Sequence, residues 1–158
     1  MPERIDYLND PDAPAANSVV PSANVIVVNE RGEILMMRRT DNENWAVPGG
    51  GMDLGESIVE TAVRETKEET GIECEITGLV GIYSNPHHVI RYTSNDEVRQ
   101  EFSVVFTGRP TGGELRSSSE SSEPHWVAPT TAITLRMHPS MRQRIQRYVD
   151  RIEEPYLG

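Results

Sequence analysis

The period of hydrophobic and polar positions changes several times along the chain, and each change marks an element. From Asn24 to Arg39, "NVIVVNERGEILMMRR" carries two short apolar runs around "NERGE", where Gly32 suits a hairpin turn between strands. "NWAVPGGG" reads as a short strand ended by Pro48 and followed by a glycine bend with access to unusual dihedrals. Between Glu56 and Thr70 the period becomes helical: Ile58, Val59, Ala62, Val63 and Thr66 form one stripe, and Gly71 stands where a left-handed C-terminal cap belongs. "ECEITGLVGIYS" and "RQEFSVVFTG" return to strand patterns, "RPTGGELRSSSESSE" is a polar loop, and "HWVA" is a short last strand. "HPSMRQRIQRYVDRI" aligns Met141, Ile145, Tyr148, Val149 and Ile152 on one face of a closing helix, and its arginines Arg142, Arg144, Arg147 and Arg151 read as the solvated face. Residues 1–20, rich in Pro, Asp, Asn and Ala without periodicity, read as an extended N-terminal arm ahead of a single domain over residues 21–158. The sum is an α+β layer arrangement.

The 158 residues suffice for one core of ordinary depth, and 36% hydrophobic with 25% charged residues is a globular composition. No apolar run reaches the length needed to span a bilayer, and "MPERIDYLND" lacks the basic and apolar regions of a signal peptide. The one cysteine, Cys74, has no partner for an internal disulfide, so a reducing, cytoplasmic setting is expected. A net charge of -10 argues against polymeric nucleic acid and anionic membranes as partners, because both require a positive face. A small anionic substrate stays open, provided metal ions mask the local charge.

The candidate chemistry lies in "RETKEETGI", Arg64 to Ile72. On a helix Glu65, Glu68 and Glu69 stand at i, i+3 and i+4, and like charges at that spacing destabilise a helix by roughly 0.2–0.5 kcal/mol per pair. A glutamate run on a helix is by default a solvated face. Here it stands in register with Gly50, Glu56, Arg64 and Gly71, and that fixed-spacing pattern, led in by "WAVPGG", resembles the Nudix box of the Nudix hydrolases. The one departure is Thr66, where the family usually has an aliphatic residue. The resemblance implies an α/β/α sandwich with a mixed β-sheet, a catalytic loop-helix-loop and a C-terminal helix. It also implies Mg²⁺ as cofactor, with Mn²⁺ as substitute, and metal ligands Glu65, Glu68 and Glu69, with Glu56 and Gly50 in the same set. Arg64 then fixes a neighbouring carboxylate. Mg²⁺ suits such a ridge because it takes oxygen ligands and is commonly shared between carboxylates and substrate phosphates.

The implied activity is hydrolysis of a nucleoside diphosphate linked to another moiety, by water attack at phosphorus. Pro86, fifteen residues beyond Gly71, resembles a proline frequent in the family's ADP-ribose pyrophosphatases. It favours ADP-ribose or a nucleotide sugar over nucleoside triphosphates, the main alternative. Glu120 is the expected base, carried by residues 109–123 as a lid. Arg39 and Arg99 are candidate phosphate ligands, and Pro86, His87 and His88 candidate substrate contacts, although strand-end arginines and loop histidines also occur without function. The expected partner is a small nucleotide, with a homodimer as an option. A non-catalytic nucleotide sensor would want a degraded box and an appended DNA-binding domain. An isoprenoid diphosphate isomerase would want a catalytic cysteine, for which Cys74 is poorly placed.

Overall fold

The computed structural model describes residues 4–158. The strand at its centre is the longest one. Call β1 Arg4–Leu8, β2 Ser18–Val27, β3 Ile34–Arg39, β4 Trp45–Ala46, β5 Gly49–Gly51, α1 Ile58–Thr70, β6 Ile72–Tyr83, β7 His88–Tyr92, β8 Glu97–Gly113, β9 Ser121–Val127, α2 Pro129–Ala132, α3 Pro139–Val149 and β10 Tyr156–Leu157. Along one edge β8 runs parallel to β2, and along the other it pairs antiparallel with β7 and then with β6. β1 extends the sheet beyond β7, β5 beyond β2, and β10 beyond β6, which gives seven mixed strands. A second sheet has the order β4-β3-β9.

Alternation along β2 sorts the two cores. Ala23, Val25 and Val27 pack with Ala62 of α1, and with Leu35, Ile72, Cys74 and Phe106. Ile26 packs in the other cluster with Met36, Val105, Met137 and Ile145 of α3. Successive strand residues point to opposite faces, so α1 and α3 cover opposite sides of the sheet. This is the expected α/β/α sandwich. Among the described residues no helix is long and apolar enough to cross a membrane.

Five local expectations are corrected. The N-terminal arm is not free: β1 pairs residue for residue with β7, from Arg4 opposite Tyr92 to Leu8 opposite His88, and that partner lies in "HHVIRY", to which the sequence pattern assigned no element. The hairpin around Gly32 closes through a single bridge, Val28 to Ile34, after which β2 and β3 part into different sheets. The polar loop is short, because Arg109–Gly113 continue β8 and Ser121 already starts β9. On α1 the buried stripe is Thr61, Ala62, Thr66, Glu69 and Thr70, whereas Val59 is exposed. α3 ends at Val149 and leaves Ile152 exposed.

Thr66 fits its buried site by satisfying itself, its hydroxyl donating to the Ala62 carbonyl at 2.8 Å. Ser57 caps the start of α1 by accepting from the Glu60 N–H. Gly71, at φ 80°, ends the helix in the left-handed region and returns its N–H to the Lys67 carbonyl.

Candidate active site

Arg64 organises the helix face. Its Nε and Nη2 donate to both oxygens of Glu56 at 2.6 and 2.9 Å, its Nη1 to Glu65 at 3.0 Å and Glu68 at 3.1 Å, and its Nη2 to the Gly51 carbonyl at 3.1 Å. The planar guanidinium therefore fastens the glycine bend to the ridge, as its fork geometry permits. The Glu56 carboxyl is lowered to about 2, first by the Arg64 hydrogen bonds and then by the Asp53 N–H. Glu56 thus stays ionised and reaches the ridge through Arg64.

Beyond Arg64 the carboxylates have too few cations. Glu69 is 4% exposed and accepts from the Gly49 N–H at 3.1 Å. Burial, followed by the charge of Glu65, pushes its carboxyl up to about 9. Glu65 is raised as well, by burial and against the pull of Arg64. The charge of Glu65 opposes ionisation of Glu69, so without a cation the pair retains a proton at neutral pH. Glu68 is exposed beside them, its side chain 58% accessible. Three carboxylates on adjoining turns, two of them short of positive charge, are the donor set that a divalent ion fits. Glu65, Glu68 and Glu69 would hold it.

The bend is tightest at Gly49, where a Cβ would fall 2.2 Å from the Ala23 carbonyl oxygen. A Cβ on Gly50 would fall 2.5 Å from the Glu65 carboxylate, and Gly50→Ala is therefore expected to lower kcat by about tenfold or more, since catalytic groups tolerate misplacement of only about 1 Å. Steady-state rates and a melting curve check this.

A cavity of about 120 Å³ opens at Gly49–Gly51. Trp45, Ile90 and Tyr92 give it flat or apolar walls, and its polar lining comes from Asn24, Arg39, Arg99, Glu101 and Arg144. His88, Asp6, Arg4 and His138 line it as well. Arg39 is paired with Asp41, and Arg99 is paired with Glu97 and lies 4.8 Å above the Tyr92 ring.

A family model described as the NUDIX domain matches residues 19–148. The chain belongs to the Nudix family. It is 36% identical over 126 residues to a "MutT-like protein" of Streptomyces ambofaciens, covering 78% of this chain and 73% of the relative. It is 35% identical over 125 residues to a "Putative 8-oxo-dGTP diphosphatase" of Bacillus subtilis, covering 78% and 76%. The solved structure of a NUDIX hydrolase from Nitrosomonas europaea superposes with TM-score 0.75 at 21% identity, over 90% of this chain and 78% of that one. Like its relatives named as diphosphatases and pyrophosphatases, this Nudix protein is a pyrophosphohydrolase.

Not every residue expected at the site is there. Glu65 and Glu69 converge below Gly49 and Gly50, and Arg39, Arg99 and His88 reach the cavity. Pro86 and His87 are exposed on the turn before β7 and line no part of it. Glu120 is exposed in the loop before β9, its carbonyl accepting from Thr40 and its side chain outside the cavity lining. The loop is no lid: the Arg116 N–H bonds the Thr70 carbonyl at 2.8 Å, and the Ser121 hydroxyl bonds the Glu69 carbonyl. Glu120→Gln is accordingly expected to leave kcat within about twofold of wild type, where loss of a general base costs about a hundredfold or more. A rate measurement on the purified variant decides.

The sequence reading missed Arg4, Asp6, Asn24, Glu101, His138 and Arg144. Arg144 corrects the reading of a solvated arginine face. It is 4% exposed and donates to the Asn24 side-chain oxygen at 2.6 Å. Arg142 and Arg147 are tied to backbone carbonyls at Leu135 and Glu154. A signal existed: at about 100° per residue Arg144 stands only about 60° from Met141, at the border of the apolar stripe.

Asp6, His88 and His138 bring three ligand-type atoms within 4.8 Å of one another. They suit a cation poorly. Arg4 already donates to both Asp6 oxygens, and the His138 Nδ1 lone pair is spent on the Ser140 N–H at the start of α3.

Proposed function

We propose that this Nudix protein hydrolyses nucleoside triphosphates to the monophosphate and pyrophosphate, with the base in the cavity and the phosphates along Gly49–Gly51 and the Glu65–Glu68–Glu69 ridge. The observation that carries the reading is the cavity. At about 120 Å³ it is well below the roughly 300–1,000 Å³ of sites that enclose a whole drug-sized ligand. One ring system fits inside, and everything beyond the sugar lies in the open, next to the carboxylates. The relative named for a nucleoside triphosphate matches over most of both chains. Pro86, on which the preference for ADP-ribose rested, stands outside the cavity.

The roles of the residues follow from their places. Trp45, Ile90 and Tyr92 hold the base. Arg39 lowers the negative potential at Glu69 and faces the cavity, where its guanidinium orients phosphate oxygens. Arg64 locks Glu65, Glu68 and the Gly51 carbonyl into one frame, so the ridge is set before substrate arrives. A divalent cation on the ridge supplies charge neutralisation of the phosphates and a lowered pKa for the attacking water.

The test is a panel of purified protein with Mg²⁺ against deoxynucleoside triphosphates, ADP-ribose, nucleotide sugars and dinucleoside polyphosphates. A best triphosphate with kcat/KM at least about tenfold above ADP-ribose, or about 1.4 kcal/mol in transition-state binding, is expected. The reverse ranking moves the assignment to a diphosphate bearing a second organic group and leaves the hydrolase chemistry intact.

A further inference from the structure

One wall of the cavity is built partly from outside the matched residues. Arg4 and Asp6 belong to β1, ahead of residue 19 where the family match begins, yet both line the cavity with His138 and Arg144. The hydrogen bonding of these side chains fixes what each can still offer. Asp6 accepts from Arg4 on both oxygens, at 3.0 and 3.1 Å, and faces His88 Nε2 at 3.3 Å. An ionised carboxylate has about four acceptor positions, so one remains. His138 caps α3 with Nδ1, which lies 3.2 Å from the Ser140 N and 2.7 Å from its Oγ; in the tautomer in which Nδ1 accepts from both, the neutral ring carries its proton on Nε2. The ring is held by stacking on His88, with centroids 5.3 Å apart. Arg144 places Nη1 on Asn24 and stacks its guanidinium 4.9 Å from the Tyr83 centroid, while its buried Nε–H has no partner.

The Arg144 Nε–H is sealed from the cavity, so the wall presents the His138 Nε2–H and the rest of the cavity-lining Arg144 guanidinium beside one spare acceptor. Its charges balance in number, Arg4 ion-paired with Asp6 and Glu101 lining the same cavity as Arg144, which suits a neutral polar group better than a phosphate. A ring carbonyl beside a ring N–H, the lactam edge of guanine, hypoxanthine or uracil, complements this pattern. The amino edge of adenine or cytosine opposes it, setting N–H against N–H and a ring nitrogen lone pair against the carboxylate.

Resting on the triphosphate reading above, we propose that β1 makes this protein selective for lactam-edged bases: His138 and Arg144 donate to the ring carbonyl oxygen, and Asp6 accepts from the adjoining ring N–H. Unpaired buried polar groups are what let hydrogen-bonding sites reject the wrong partner strongly. Selectivity arises here from the N-terminal strand as much as from α3.

The experiment compares kcat/KM with Mg²⁺ for dGTP, dITP, dATP and 2-aminopurine deoxyribonucleoside triphosphate. dITP keeps the carbonyl and ring N–H alone, and 2-aminopurine removes them. dGTP and dITP are each expected at least about tenfold above dATP and the 2-aminopurine nucleotide. His138→Asn keeps a good helix cap for the Ser140 N–H while withdrawing the imidazole donor; with it the dITP to dATP ratio is expected to fall by about fivefold or more, whereas a merely structural role would lower both substrates together. Asp6→Asn is expected to lower the same ratio. dATP equal to or above dITP, or a ratio unmoved in both variants, overturns the proposal. Turnover of dATP and dITP at equal rates leaves the triphosphate reading standing; turnover of none of the four removes that reading, and this inference with it.

Discussion

Glu69→Gln is expected to lower kcat by at least about a hundredfold, or about 2.7 kcal/mol of barrier, while the fold is retained. The amide keeps the size of the side chain and an oxygen for the Gly49 N–H, but it withdraws the buried negative charge that the ridge directs at a cation. A melting experiment separates this cause from simple damage. In the metal-free protein the Glu69 carboxyl is raised to about 9, against about 4.3 for an ordinary glutamate in the unfolded chain. The folded state thus holds the extra proton between these values, and stability of the metal-free protein falls as pH rises through that window. Glutamine is neutral throughout. In EDTA at pH 8 the variant is expected to melt no lower than wild type, and the rise in Tm caused by Mg²⁺ is expected in wild type only. A fully active Glu69→Gln protein defeats the assignment.

Removal of divalent ions is expected to lower turnover by at least about a thousandfold, since the ion supplies several kcal/mol of charge stabilisation at the phosphates, and Mg²⁺ or Mn²⁺ restores it. Affinity for the ion carries a sign that follows from the same carboxylates. Glu65 and Glu69 must release a proton before both can bind a cation, because burial raises both, with the charge of Glu68 adding to it at Glu65 and that of Glu65 at Glu69. The apparent Kd for Mg²⁺ therefore tightens as pH rises from neutrality toward 9. Titration calorimetry at three pH values tests the direction. Binding that weakens as pH rises contradicts the proton-sharing pair.

The parts of this protein legible in its sequence are those set by local rules. Helix α1 announces itself through its period and through Gly71, and the Glu65–Glu68–Glu69 ridge follows from spacing on one helix. The missed parts depend on partners distant in sequence. β1 is a strand because β7 lies beside it, and the alternation in "RIDYL", Arg4 and Asp6 against Ile5 and Tyr7, is too short to distinguish a strand from an arm. Asp6, His88 and His138 meet across more than a hundred residues, which no window along the chain reveals. Glu120 was favoured because it precedes a strand near Trp126. The pairing of β9 with β3 instead leaves it on the outer loop. Arg144 was misread for a different reason: a charged residue at the border of an apolar stripe looks solvated until another surface, here Asn24 and Tyr83, closes over it.

The proposed metal-dependent pyrophosphohydrolysis of a nucleotide seated in the cavity beside Gly49–Gly51 is tested most directly by following dGTP with purified protein and Mg²⁺ by ³¹P NMR. The expected spectrum shows dGMP and pyrophosphate appearing in equal amounts, and no change in a matched sample with excess EDTA. Release of orthophosphate with dGDP, or turnover that proceeds equally in EDTA, would contradict it.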